Sequence, residues 1–178
     1  QYKKNICTIN SIHDIHIIKK FILGSRETIY CHLKFDTGMG RLGIRYIDID
    51  NVMDKLSKSQ HIEVEGVYSH FATAEDKNTE YRDLQLERFK QVVSKAKTIL
   101  PKVEYFHMAN SAALLTCPES YFNMVRPGIS LYGVTPIGGP YSQLLPVMIM
   151  KAPVILIKEY EAGDSVGYSR QYIAEKNE

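Results

Sequence analysis

Apolar residues recur along this chain with two periods that alternate. An apolar run at Ile6 to Ile9 predicts a strand, and Ser11-x-x-Asp14 behind it has the spacing of a capping box with Asp in place of Glu or Gln. A helix should follow, carrying Ile12, Ile15, Ile18 and Ile22 on one face and ending near Gly24. The same reading gives a strand at Thr28 to Phe35, a helix at Asp48 to Ser59 and a strand at Ile62 to Phe71. Thr79 to Leu100 is a long amphipathic helix with Tyr81, Leu84, Phe89, Val92, Val93 and Ala96 along its apolar stripe. Val103 to Met108 is a strand, Ser111 to Thr116 a short helix, and Asn123 to Arg126 a brief strand leading into Pro127-Gly128.

Regular alternation of this kind predicts parallel strands with crossover helices, either an incomplete (β/α)8 TIM barrel or an open doubly wound sheet. The pattern changes after Tyr132: Gly133 to Gln143 is rich in Gly and Pro, and Val147 to Ile157 and Ser165 to Tyr172 read as strands joined by a turn at Glu161-Ala162-Gly163-Asp164. A boundary is expected near Gly139, with an α/β domain over 1–138 and the beginning of a β domain over 139–178.

Composition narrows the partners. The chain has 178 residues, 44% of them hydrophobic, enough for a core of ordinary domain size. Its 22 basic and 20 acidic residues are mixed along the sequence, so no charged stripe points to nucleic acid or a membrane surface, and a small molecule is the expected partner. Cys7, Cys31 and Cys117 are far apart and form no C-x-x-C pair, which fits a reducing compartment and neither a disulfide framework nor a zinc site. His13 and His16 lack a third ligand and read as surface residues. The longest apolar stretch, Pro146 to Ile157, is broken by Lys151 and Pro153 and is too short to span a bilayer. Both ends read as cut ends, the first without a starting Met or the apolar core of a signal peptide.

The segment Ile29 to Asp36 carries the first chemical signal. Alternation places Ile29, Cys31, Leu33 and Phe35 on one face and Tyr30, His32, Lys34 and Asp36 on the other. Both faces of a parallel strand are ordinarily apolar, so a polar face suggests either an active site at the strand's carboxyl end or an exposed edge. The following Gly38-x-Gly40-x-x-Gly43 formally matches a dinucleotide-binding loop, but Asp36-Thr37 precede it and the next helix signal comes only at Asp48. Three further clusters sit at strand ends. Tyr68-Ser69-His70-Phe71 offers a histidine that is either functional or a bonded core residue. At His107-Met108-Ala109-Asn110-Ser111 a hydroxyl and free N–H groups could bind an anion or simply cap a helix, and at Arg126-Pro127-Gly128-Ile129 a glycine could admit a ligand to the backbone or form a turn.

Taken together, these segments resemble alanine racemase, a fold-type III enzyme of pyridoxal 5′-phosphate (PLP). The resemblance rests on Lys34-Phe35-Asp36-Thr37-Gly38-Met39-Gly40-Arg41-Leu42-Gly43, Ser69-His70-Phe71-Ala72, Ala109-Asn110-Ser111-Ala112, Arg126-Pro127-Gly128-Ile129-Ser130-Leu131-Tyr132-Gly133 and Gly163-Asp164-Ser165-Val166-Gly167-Tyr168, in the family's order and approximate spacing. It implies a chain running from about the third βα unit of a TIM barrel into the carboxyl-terminal β domain. The family's fold, substrate and quaternary state would follow: a cytoplasmic homodimer that interconverts L- and D-alanine for peptidoglycan synthesis.

The resemblance also implies roles. Arg41 would bind the substrate carboxylate and the cofactor's phenolic oxygen, contacts that suit a planar guanidinium. Lys34 matches a lysine often carbamylated in this family, which then holds the arginine; unmodified, it is an amine beside another cation, and its pKa should fall. His70 would lie against the PLP ring and bond Arg126, which faces the pyridine nitrogen. Because a guanidinium stays protonated, it donates to that nitrogen without protonating it and leaves the ring a weaker electron sink than a carboxylate partner would. Ser111, Gly128 and Ile129 would hold the phosphate, with Asn110 adjacent, and Tyr168, supplied by the other subunit, would be the second acid/base. Ser169 departs from the family, where a glycine is usual.

Rival readings are a racemase for serine or several amino acids on the same fold, and a non-catalytic PLP-binding or dimerisation module. The family's cofactor lysine is expected upstream of Gln1. These 178 residues alone should therefore show no alanine turnover with added PLP, and turnover in a racemase assay would overturn that expectation.

Overall fold

The first strand, β1 (Ile6–Ile9), runs into a helix whose start is capped as its sequence requires. Ser11 Oγ accepts the Asp14 N–H at 3.1 Å while the Asp14 carboxylate accepts the Ser11 N–H at 3.0 Å, and α1 (Ile12–Phe21) follows. Next come β2 (Ile29–Asp36), a two-residue β3 (Ile44–Arg45), α2 (Ile49–Ser57), β4 (Ile62–Tyr68), α3 (Glu80–Ile99), β5 (Tyr105–His107) and α4 (Ser111–Thr116). This computed structural model describes residues 5–24, 27–139 and 143–178. Residues 1–4 of the amino-terminal end and 140–142 of the Gly- and Pro-rich stretch lie outside the described residues.

The strands pair in parallel in the order β1-β2-β4-β5, with β3 against the end of β2. Neighbours in the sheet are thus neighbours along the chain. That order is the order of a (β/α) barrel, whereas a doubly wound sheet reverses its strand order partway. Alternation sorts the faces of β2 as expected: Cys31, Leu33 and Phe35 are fully buried beneath the helices, against Val52, Met53, Phe89 and Val92, and the opposite face is polar. The helical crossovers bury that apolar face, and the fold's polar side chains collect on the barrel-facing side.

Several sequence-based elements differ, among them the strand expected over Ser165 to Tyr172, which a 3-10 turn at Tyr168–Arg170 divides into two short strands. Asn123 to Arg126 forms a single parallel bridge, His107 with Met124, because Asn123 turns its side-chain oxygen to the Phe106 N–H (2.7 Å) and Met124 bonds back to Tyr121. On α3, Tyr81 and Leu84 are 41% and 44% exposed while Gln85 is fully buried, so the first turn of the stripe is rotated from the apolar pattern. The Gly38–Gly43 loop does not open a helix. Gly43, at φ +123°, leads straight into β3, so the dinucleotide-binding geometry does not form.

The chain divides into compact units Gln1–Val147 and Met148–Glu178. In the second, β6 (Ser165–Val166) pairs antiparallel with β7 (Tyr172–Ile173), and the turn at 161–164 is closed by the Asp164 carboxylate on the Glu161 N–H. The strand expected over Val147 to Ile157 is not formed; its apolar residues are exposed, because a strand needs a ladder partner and none of the described residues offers one.

Gly43 is a critical backbone position. A Cβ there would fall 2.8 Å from the Asp36 nitrogen in addition to the unfavourable φ. Gly43→Ala should destabilise by roughly 2–4 kcal/mol, whereas Gly40→Ala, at φ +68° with open space around it, should cost roughly 1–2 kcal/mol, both read from urea denaturation.

Candidate active site

The polar faces of β2, β4 and β5 border a cavity of about 330 Å³ whose lining includes His32, Tyr68, His107 and Arg126. Arg126 is the hub. Its Nη2 donates to the Ser69 carbonyl at 2.8 Å, to His70 Nδ1 at 3.4 Å and toward the Met108 carbonyl at 3.5 Å, its Nη1 donates to His107 Nδ1, and its guanidinium carbon lies 5.0 Å from the centre of the Tyr68 ring. The backbone is fastened too, Arg126 N–H to Ala109 O at 3.0 Å.

Since a guanidinium can only donate, these contacts dictate the imidazole tautomers. His107 must accept at Nδ1 and therefore carries its hydrogen on Nε2, from which it donates to His32 Nδ1 at 3.0 Å. His32 in turn carries its hydrogen on Nε2, which is buried without a partner among the described residues. Space for the His32 ring comes from Gly66 on the neighbouring strand, where a Cβ would meet ring atoms at 2.5–2.7 Å. The His107 ring stacks on Tyr68 at 4.8 Å between centroids and 11° between planes.

Electrostatics follow from this crowding of donors. Burial and then the Arg126 charge hold His107 down to about 3, and burial with Arg126, Arg41 and Lys34 holds His70 down to about 4. Lys34 is 8% exposed, and its amine is pushed below the ordinary lysine range by burial, then by Arg41 and Arg126. Arg41, on the surface of the Gly38–Gly43 loop, thus acts electrostatically on the same histidine and lysine as Arg126. Asp36 shapes that loop by accepting the Gly38 N–H at 2.9 Å and the Gly40 N–H at 3.1 Å.

A second group of contacts joins the start of α4 to the segment after Arg126. Ser111 Oγ accepts the Gly128 N–H at 2.7 Å and the Ser130 N–H at 3.3 Å, with Ser130 Oγ at 3.2 Å. Ile129 begins the 3-10 turn Ile129–Tyr132 and is half exposed. Asn110 is the N-cap of α4, its Oδ1 accepting the Ala113 N–H at 3.0 Å, so that oxygen serves the helix. Tyr168 lies in the second unit and is 98% exposed there. Beside it Ser169 adopts φ +59°, a left-handed conformation in which glycine is free of strain.

His32, Tyr68 and His107 belong to segments flagged in the sequence but carry no assigned role there. Gln85 is the residue that sequence reasoning misses. It is fully buried, donating to the His70 carbonyl at 3.2 Å and accepting the Ala72 N–H at 2.9 Å. Its one signal is spacing, since 85, 89, 92 and 96 lie on one helical stripe.

Residues 2–136 match the family described as "Alanine racemase, N-terminal domain". The chain is 40% identical over 154 residues to an alanine racemase of Carboxydothermus hydrogenoformans, a match covering 85% of this chain and 42% of that protein. It is 43% identical over 150 residues to one of Citrifermentans bemidjiense, covering 82% and 40%. Among solved structures it is similar to alanine racemase from Streptomyces coelicolor A3(2), with a TM-score of 0.88, 30% identity and coverage of 98% of this chain and 48% of that one. The Streptomyces lavendulae enzyme gives 0.87, 31%, 98% and 47%. The chain thus spans less than half the length of these relatives.

The depressed histidines make a pH prediction. Above about pH 6.5, the unfolded value, both are neutral whether or not the chain is folded. As pH falls from there toward 4 and then 3, the unfolded chain takes up protons that the folded site refuses, so stability is lost over that window. The denaturant midpoint should therefore drop between pH 7 and pH 4, and less steeply in His107→Gln.

Proposed function

This chain belongs to the alanine racemase family, and from that membership we propose that the protein containing it interconverts L- and D-alanine with PLP. The observation that carries the reading is the grouping of Arg126, His70, Lys34 and Arg41 at the carboxyl ends of parallel strands, with the Ser111–Gly128 cradle fastened to the segment after Arg126.

The residues fit the cofactor. The Ser111 hydroxyl hydrogen and the Ile129 amide suit a phosphate, and Gly128, whose N–H fastens Ser111 Oγ, brings its backbone close without a side chain in the way. Arg126 Nε–H is used by none of the protein contacts above and is available to a ring nitrogen. Bound PLP supplies an electron sink that acidifies the hydrogen on the substrate α-carbon. Arg126 would hold the ring nitrogen by donating a hydrogen bond while keeping its own proton, with the neutral His70 ring as its neighbour. Arg41 grips the substrate carboxylate. Lys34, with its weakened amine, is suited to react with CO2, losing a proton and forming a carbamate that accepts from Arg41. Tyr168 of the partner subunit takes or returns the proton at the α-carbon in a homodimer.

A small-molecule substrate is consistent with the balanced charge, and no helix among the described residues is long and apolar enough to cross a membrane. Cytoplasmic D-alanine supply for peptidoglycan is the role we assign. The test is a racemase assay on the full-length protein loaded with PLP. It should interconvert the alanine enantiomers, and Arg126→Lys, which keeps the charge but cannot span His107, Ser69 O and a ligand at once, should lower kcat by about 10²-fold. Absence of alanine turnover in the loaded wild type would refute the assignment.

A further inference from the structure

Three polar side chains on α3 reach the loops that carry the site. Tyr81, Gln85 and Arg88 are spaced i, i+4 and i+7, which places them on one stripe of the helix. Tyr81 Oη donates to Gly38 O at 2.8 Å and Arg88 Nη1 to Thr37 O at 2.9 Å, both in the loop of Arg41. Gln85 holds the loop after β4 from both sides, through His70 O and the Ala72 N–H.

The fit allows little slack. Gly38 sits at φ +140°, and a Cβ on it would come within 2.5 Å of Tyr81 Oη. Arg88 is itself fixed by the Tyr46 ring, 4.8 Å from its guanidinium carbon. At their bases the two loops are already pinned together by the buried hydroxyls of Thr37 and Ser69, 2.8 Å apart, with Ser69 Oγ donating to Phe35 O at 2.8 Å. What the helix adds is a hold on the backbone at and beyond that pin, at Thr37 O and Gly38 O on one loop and at His70 O and the Ala72 N–H on the other. A glutamine with no exposed surface is retained at such a position only if its amide is satisfied, and here the satisfying groups are the backbone of the His70 loop.

We propose that the Tyr81–Gln85–Arg88 stripe is a two-jawed clamp, in which Arg88 and Tyr81 position the Arg41 loop and Gln85 separately positions the His70 loop. These are positioning residues. The assignment of one jaw to substrate and the other to cofactor rests on the function proposed above, but the mechanical claim does not. Because the jaws grip the backbone of different segments, and the Thr37–Ser69 hydroxyl pin is made by neither jaw, loosening one should leave the other in place.

Amide hydrogen exchange on the full-length holoenzyme, read beside steady-state kinetics, tests this. Gln85→Leu should speed exchange at Ala72 by about tenfold, the equivalent of one lost buried hydrogen bond, and leave Gly38 and Gly40 within about twofold. Arg88→Met should do the reverse, and Arg88→Lys should restore protection. Tyr81→Phe, which removes one hydroxyl from a side chain 41% exposed, gives a mild version of the Arg88→Met pattern even if Gln85→Leu fails to fold. In the kinetics, Arg88→Met should raise KM for alanine with kcat little changed, and Gln85→Leu should weaken PLP retention. Exchange that rises equally in both loops, or in neither, overturns the clamp. If the exchange pattern holds while the wild type fails to racemise alanine, the clamp stands and the proposed activity falls.

Discussion

A half-buried guanidinium among strand ends organises this site. Taking a charge out of water has a cost that hydrogen bonds must offset, and Arg126 offsets it with the Ser69 carbonyl, two imidazole nitrogens and an aromatic face, while its Nε–H is left to a ligand. The consequences spread outward. His107 and His70 must stay neutral, their tautomers are dictated by the donor they face, and His32 inherits the same polarity one bond further on. The ends of β4 and β5 and the segment after Met124 are drawn onto one side chain, which is what a barrel needs at its functional face. Lys34 and Arg41 add further positive charge nearby, with Asp36 as a counter-charge to Lys34, so cations outnumber that carboxylate around the site. A phosphorylated ring and a substrate carboxylate would balance the excess.

Much of this was legible in the sequence, for identifiable reasons. The capping box at Ser11 and Asp14 marks a helix start through local hydrogen bonds alone, and α4 begins and ends where the pattern places it, at Ser111 and Thr116. The polar face of β2 was visible because period-two alternation survives in a strand buried on its other side. Residues joined over long sequence distances were less accessible. Gln85 belongs to the buried stripe of α3 because two backbone groups of a distant loop need it, and hydrophobicity cannot report that. Val147 to Ile157 has the composition of a strand, yet composition does not provide a ladder partner.

Ser169 shows the opposite relation, in which a departure from a family pattern has a visible physical cost. At φ +59° it occupies a conformation that strains any residue with a Cβ, next to the tyrosine that the family resemblance singles out. Asn110 joins fold and site in one residue. Adjacent to the proposed phosphate-binding serine, it caps the very helix that presents that serine, so the local fold and the cradle depend on the same hydrogen bond.

The interaction on which all of this depends is that of Arg126 with neutral imidazoles whose tautomers it sets. Nitrogen-15 NMR of the histidine rings in the full-length protein tests it most directly. His70 and His107 should remain neutral at pH 5.5, each with its hydrogen on Nε2 and a bare Nδ1. An imidazolium signal from either ring at that pH, or a hydrogen on Nδ1, would contradict it.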